Sequence, residues 1–388
     1  MHALRPAAVI VASVFAVPSL AAACPFCGVV TEPLAARRDA AGAVAVAEGA
    51  GEARRDDSGL LVEPLRLRQW IRGESGDGVG GEVLARVDSP IRGTAVAFGP
   101  RDHGGRWSGI PADESLIVHV ATAPRTDEPA VQRLRWFAKR LTHPDPAVAD
   151  DALAEFAAAD FADVQAAADA FDADRLRAWV AEPHGPGKPR GFYALALGLV
   201  AAGDPAERAA AVELLRTTIA AEAAADDFRA GFDGLAAGLL VAEGEQGLAM
   251  LEAMGLLEPR AGAVVKRQVL AALRFAWESL AETIPRQKIT EATARLLASP
   301  STAADAVVDL ARYRYWAATD EVAGLWETLG ADDSLIRRAV AGYLAASPQP
   351  EAAVHLARLR REDRAAVESA LEAARSPLAA PQSAPGRP

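Results

Sequence analysis

The sequence predicts an α+β protein that is mostly α, with a small antiparallel β domain followed by a HEAT-like α-α superhelix. Three observations predict it. Alanine is the commonest of the 388 residues, and alanine is the best helix former and a poor strand former. A period-two pattern with β-branched residues and glycine turns is confined to residues 60–124. From about residue 125 onward, amphipathic stripes at helical spacing follow one another across short Pro- or Gly-containing links.

Composition bounds the function. The chain is 51% hydrophobic and 24% charged, which is ordinary for a folded protein and too apolar for a disordered one. With 52 acidic and 41 basic residues the net charge is -11. General nucleic-acid binding needs clustered cations, so nucleic acid is not an expected partner. Two cysteines and six scattered histidines leave little material for a metal or redox centre. No cofactor, metal or catalytic residue is expected.

Residues 1–23 read as an export signal. Arg5 supplies a positive start, Ala7 to Val17 form a short apolar stretch, and Ala21-Ala22-Ala23 offers the small residues of a cleavage site. A membrane span needs about 20 apolar residues, and neither this stretch nor any later one reaches that length. The expected location is therefore periplasmic or extracellular.

Cys24-Pro25-Phe26-Cys27 follows at once. In an oxidising compartment a C-x-x-C pair most often closes as a disulfide, and Cys24–Cys27 is the preferred pairing. Glutaredoxin-like enzymes carry very similar sites, but those sit between a strand and a helix in a βαβ core. No such pattern surrounds this motif. Haem attachment would need His where Gly28 stands, and a zinc site would need two further ligands. Ala21-Ala22-Ala23-Cys24 also resembles a lipoprotein cleavage box, with Ala21 in place of the usual Leu, which keeps a lipid anchor at Cys24 open.

The segment 24–58 is mixed, and Ala43 to Ala47 alternates like a short strand. In 59–124 the expected strands are Leu61 to Ile71, Gly81 to Val87, Thr94 to Phe98 and Leu116 to Ala121. Short strands at this density suggest a small antiparallel barrel or sandwich, by analogy OB-like. Gly76-Asp77-Gly78-Val79-Gly80-Gly81 matches G-x-G-x-x-G, but it lies between two strands and opens no helix. It reads as a hairpin loop. His103, Trp107 and His119 are isolated ring residues more often found in packing, and no Ser–His–Asp set emerges from the spacing.

Helices fill 125–375. Asp145-Pro146 and Asp204-Pro205 each mark a helix start, because Asp caps orphan N–H groups and Pro tolerates the first position. Stripes such as Phe228, Phe232, Leu235 and Leu239, and Val265 through Trp277, supply apolar faces. Many modest helices with short links suggest stacked hairpins of degenerate HEAT type. Asp309 and Arg312 read as a helix-surface or inter-repeat ion pair, and Glu155 as an exposed partner beside the core residue Phe156. Tyr313, Tyr315 and Trp316 form the densest aromatic cluster, part of which would offer a partner surface. Residues 376–388 read as a disordered tail.

Several phrases recur in an order that resembles a family of exported planctomycete-type proteins of uncharacterised function. They are the CPFC motif after a signal, Arg133-Leu-Arg-Trp-Phe137, Asp151-Ala-Leu-Ala-Glu-Phe156, Ala271-Ala-Leu-Arg-Phe275, and Asp309-Leu-Ala-Arg312 followed by Trp316. The resemblance implies no activity, cofactor or catalytic residue. Function is expected to be that of an exported, non-enzymatic scaffold binding another protein through a helical-repeat surface. The alternative is an extracytoplasmic thiol–disulfide factor using the CPFC pair, or another exported enzyme.

Overall fold

Alternation along the first half of the chain closes a barrel. The computed structural model describes residues 26, 31–101, 105–182, 189–225 and 230–375. After a short helix α1 (Leu34–Ala40) come β1 (Ala43–Gly49), β2 (Arg54–Arg55), β3 (Leu61–Arg72), β4 (Glu82–Val87), β5 (Thr94–Gly99) and β6 (Trp107–Pro111). The sheet order is β1-β5-β6-β4-β3-β2, and β1 also pairs with β3, so five strands close on themselves while β2 extends β3. Every barrel pairing is antiparallel except β4 with β6. The one parallel pair departs from the wholly antiparallel barrel expected, and a ring connected in this way has the OB-type connectivity that the analogy suggests. Ala43, Ala45, Ala47, Ala85, Ala95 and Ala97 face inward with Leu65, Leu67 and Trp107. Small side chains on half the wall let so narrow a barrel fill with the large ones.

Two expectations about this region need correcting. The sheet begins at Ala43, so a boundary at residue 59 would cut through paired strands. The stretch Leu116 to Ala121 is not a strand but lies in helix α2 (Glu114–Thr122), and the strand that closes the ring is Trp107–Pro111. Asp113 caps α2 by accepting from the Leu116 N–H at 2.9 Å. The buried positions Leu116, His119, Val120 and Ala123 fall at i, i+3, i+4 and i+7, a helical stripe hidden inside a β-branched run. The glycine-rich 76–81 segment is the β3–β4 connection, with Gly78 and Gly80 at φ 69° and 89°.

The helical region follows the Asp-Pro punctuation. First come α3 (Ala130–Ala138), α4 (Pro146–Ala158), α5 (Phe161–Ala166) and α6 (Ala173–Ala181). Then follow α7 (Arg190–Gly203), α8 (Pro205–Ala223), α9 (Phe232–Glu243), α10 (Glu245–Ala253) and α11 (Ala263–Ser279). The last are α12 (Arg286–Arg295), α13 (Ala303–Arg312), α14 (Thr319–Gly324), α15 (Ser334–Ala346), α16 (Pro350–Glu362) and α17 (Arg364–Arg375). Asp145 and Asp204 accept from the N–H groups of Ala147 and Ala206, as the sequence expects of N-caps.

Alternate helices pack together: α7 on α9, α9 on α11, α13 on α15, and α15 on α17. At the α7–α9 contact a Cβ on Gly198 would lie 2.2 Å from the Gly238 carbonyl oxygen, so only glycine allows the two backbones to meet. One hydrophobic core runs from Phe26, Ala35 and Ala123 through these helices to Leu371. No helix among the described residues is long and apolar enough to cross a membrane.

Candidate functional sites

Of the residues singled out by sequence, Cys24, Cys27 and His103 lie outside the described residues. Phe26, between the two cysteines, is 5% exposed and packs edge-on against Phe275 of α11, with ring centroids 5.2 Å apart. Its carbonyl also faces Gly191 at the start of α7, at 3.2 Å from where a Cβ would be. Phe26 is thus seated in the helical core. Sequence separation hid this, because almost 250 residues intervene between the partners.

The aromatic cluster divides. Tyr313 is buried and stacked on Trp277 at 4.0 Å, so it is not offered to a partner. Burial pushes its hydroxyl pKa upward, with Asp309 adding to the rise. Trp316 is half-buried with its edge toward Tyr343 at 5.0 Å, and the Tyr343 hydroxyl donates to the Tyr315 carbonyl at 2.6 Å. These rings tie one helical pair to the next. The nearby ion pairs do likewise: Asp309 accepts from Arg274 of α11 at 2.6 Å, and Arg312 pairs with Glu278 at 3.1 Å. Burial raises the Asp309 carboxyl to about 6 despite Arg274.

A groove lies close to this cluster. Val308 on α13 and Leu335 on α15 are 53% and 59% exposed and flank a cavity of about 490 Å³. The small residues Ala304, Ala311, Ala339 and Gly342 line it together with Asp305, Arg338, Tyr343 and, from α17, Ala374.

A second cavity, of about 210 Å³, lies beside the Phe26 anchor. Phe156 from α4, Phe161 from α5, Phe192 from α7 and Phe275 from α11 line it, together with the carboxylates Asp160 and Glu278. The Phe161 and Phe275 rings meet at 87° and 4.9 Å, and Phe156 lies 5.3 Å from Phe192.

The richest ionic cluster joins barrel to helices. Asp151 of α4 accepts from the Leu34 N–H at 2.7 Å and bonds His119 Nε2 of α2 at 2.7 Å, with both side chains buried. Arg38 of α1 donates to the carbonyls of Val120, Ala123 and Pro124 and pairs with Asp39 at 2.9 Å. Burial alone would raise the Asp39 carboxyl, but Arg38 and the Thr126 N–H hold it down at about 2. Glu155 pairs with Arg133 and is 3% exposed, against the expectation of an exposed partner. Burial raises its carboxyl to about 7, with Arg133 opposing and Asp151 reinforcing the rise.

His119, Asp151 and Ser115 (one turn before His119) invite comparison with a hydrolytic triad. Nδ1 of His119 has no hydrogen-bonding partner, so nucleophile and base are not assembled. The cluster acts as a joint. Among the described residues no group of His, Cys, Asp and Glu is placed to hold a metal ion.

No family model matches the chain, and neither a curated protein nor a solved structure is similar to it.

Proposed function

We propose that the protein is exported and works as a non-enzymatic binding scaffold, gripping a partner protein through the helical region. The helices are read here as a degenerate HEAT-like stack, supported by the packing of alternate helices on one another. Export rests on the three-part signal in residues 1–23, and membership of the exported family rests on the phrases quoted above.

One observation carries the binding reading: the groove lined by α13, α15 and Ala374 of α17, where Val308 and Leu335 stand exposed beside small alanine and glycine side chains. Two exposed aliphatics beside small residues leave room for the large side chains of an incoming amphipathic helix.

A photoreactive phenylalanine at Leu335 tests this in the envelope of the native cell. The expected result is one discrete crosslinked product that disappears with Val308→Glu and does not form from a probe at Glu351, outside the groove. Adducts of equal yield from both probe positions, or none from Leu335, would overturn the reading. N-terminal analysis of the same product tests export, which requires a chain beginning near Cys24.

A further inference from the structure

We propose that the cavity between α2 and the turn that ends α3 binds the phosphate group of a small phosphate ester. Ser115 and Val118 of α2, with Lys139, Arg140 and His143 of that turn, line its volume of about 290 Å³. The site shares no residue with the partner groove and does not depend on it.

The charged residues lining this cavity are basic, in a chain whose net charge is -11. His119 lines it as well, but Asp151 already takes its Nε2, so the site does not rest on it. Arg133, Arg274 and Arg312 each lie against a carboxylate. Lys139, Arg140 and His143 pair with none among the described residues. Arg140 donates to the Trp136 carbonyl at 2.9 Å and lies over the Trp136 ring, which holds its half-buried guanidinium in place. Burial lowers its pKa, and no carboxylate opposes that. A partly buried cation without a counter-charge is costly, and an anion in the cavity relieves the cost. The acid closest in sequence, Asp145, caps α4 by accepting from the Ala147 N–H and does not line the cavity. The C-terminal end of α3 supplies only about half an elementary charge, too little to balance Lys139 and Arg140 together.

The donors select the anion. Arg140 uses Nη1 on Trp136, which leaves its Nε and Nη2 hydrogens without a protein acceptor among the described residues. The Ser115 hydroxyl has no partner there either. His143 accepts from the Asp145 N–H at Nδ1, at 3.1 Å, so its neutral ring carries the proton on Nε2 and can donate from it. These donors come from two elements, α2 and the α3 turn. Two cations match a dianion, and donors from two sides suit the tetrahedral oxygens of a phosphate better than a planar carboxylate. Val118, 52% exposed, lines the same cavity and offers an apolar margin to the carbon stem of an ester.

Calorimetric titration of the full chain at low salt and about pH 8, where a phosphate ester is a dianion, tests the assignment. The probes are phenyl phosphate and benzoate, a planar singly charged anion on the same ring. Phenyl phosphate is expected to bind about tenfold more tightly than benzoate, the range of one additional charge-assisted hydrogen bond. Lys139→Gln, at an exposed and unpaired position, should weaken phenyl phosphate by about tenfold while the circular dichroism spectrum and melting curve stay unchanged. Lys139→Arg should keep the affinity. Lys288→Gln removes a lysine outside the cavity, paired with Glu245, and should leave phenyl phosphate binding as it is. Equal affinity for the two probes would overturn the proposal in favour of unselective attraction of anions. No binding of phenyl phosphate, or a loss from Lys139→Gln no larger than that from Lys288→Gln, would overturn it as well.

Discussion

Glu155 illustrates how a single buried carboxylate makes stability depend on pH. Its carboxyl is raised to about 7 in the folded chain, whereas an unfolded Glu titrates near ~4.3. The folded state therefore binds this proton more tightly than the unfolded one. Its contribution is fully present below about pH 4 and is lost as pH rises through 7. Asp309, raised to about 6, acts in the same direction over a slightly lower window. The wild-type chain should unfold at lower urea concentration at pH 8 than at pH 5. Glu155→Gln, which keeps the neutral shape, should flatten that dependence by up to roughly 3 kcal/mol. An unchanged slope in the Gln variant would assign the pH dependence elsewhere. Phe26 makes a different residue-scale point. It is 5% exposed against Phe275, so Phe26→Ala should cost about 3–5 kcal/mol of stability. Retention of the wild-type melting curve would mean that the CPFC segment is merely laid against the helices.

Between elements, the contact of α7 with α9 depends on missing side chains. Gly198 and Gly238 bring two backbones so close that a Cβ on Gly198 would meet the main chain of Gly238 at 2.2 Å, and one on Gly238 would meet the Ala194 oxygen at the same distance. Main chain cannot swing aside as a side chain can. Gly198→Ala should therefore destabilise the chain by about 1–3 kcal/mol, as overpacking does. At Gly203, the end of the same helix, an added Cβ would meet nothing within 4 Å. Gly203→Ala should be neutral or slightly stabilising, because alanine has the higher helix propensity. Chemical denaturation of the pair distinguishes close packing from a general need for glycine. If both variants melt alike, the close approach is not a determinant of stability.

Across the whole molecule, barrel and helices share a joint. α1 lies between them: Arg38 holds the end of α2 by three carbonyls, and Leu34 together with His119 satisfies Asp151 of α4. The contacts of Asp151 cross the expected boundary between the β region, 59–124, and the helical region, 125–375. A fragment beginning at Ala123 would leave Asp151 without His119 and the Leu34 N–H, and would strip Phe26 from Phe275. Such a fragment should remain helical by circular dichroism but melt well below the full chain, because buried acids stripped of partners cost several kcal/mol. Equal melting temperatures would show that the joint carries no stability.

By itself the sequence determined the local structure: the helical majority, the Asp-capped starts at Asp145 and Asp204, and four of the barrel strands, the stretch at Ala43 to Ala47 among them. It did so because capping, propensity and periodicity act within a few residues. Alternation also suggested a small barrel. It did not reveal that β1 closes the ring or that β4 and β6 run parallel, since strand pairing joins residues far apart in sequence. The stretch 116–121 misled for a related reason. Its β-branched residues favour a strand, but burial of Leu116, His119 and Val120 against neighbouring elements selects the helix. Tyr313, Glu155 and Phe26 belong to the same class: residue type suggested a surface or a remote motif, and packing put all three inside. Only the tertiary structure could place the four phenylalanines around one cavity or Val308 beside Leu335. Such sites are made by helices meeting across the core, and no local rule encodes which faces meet.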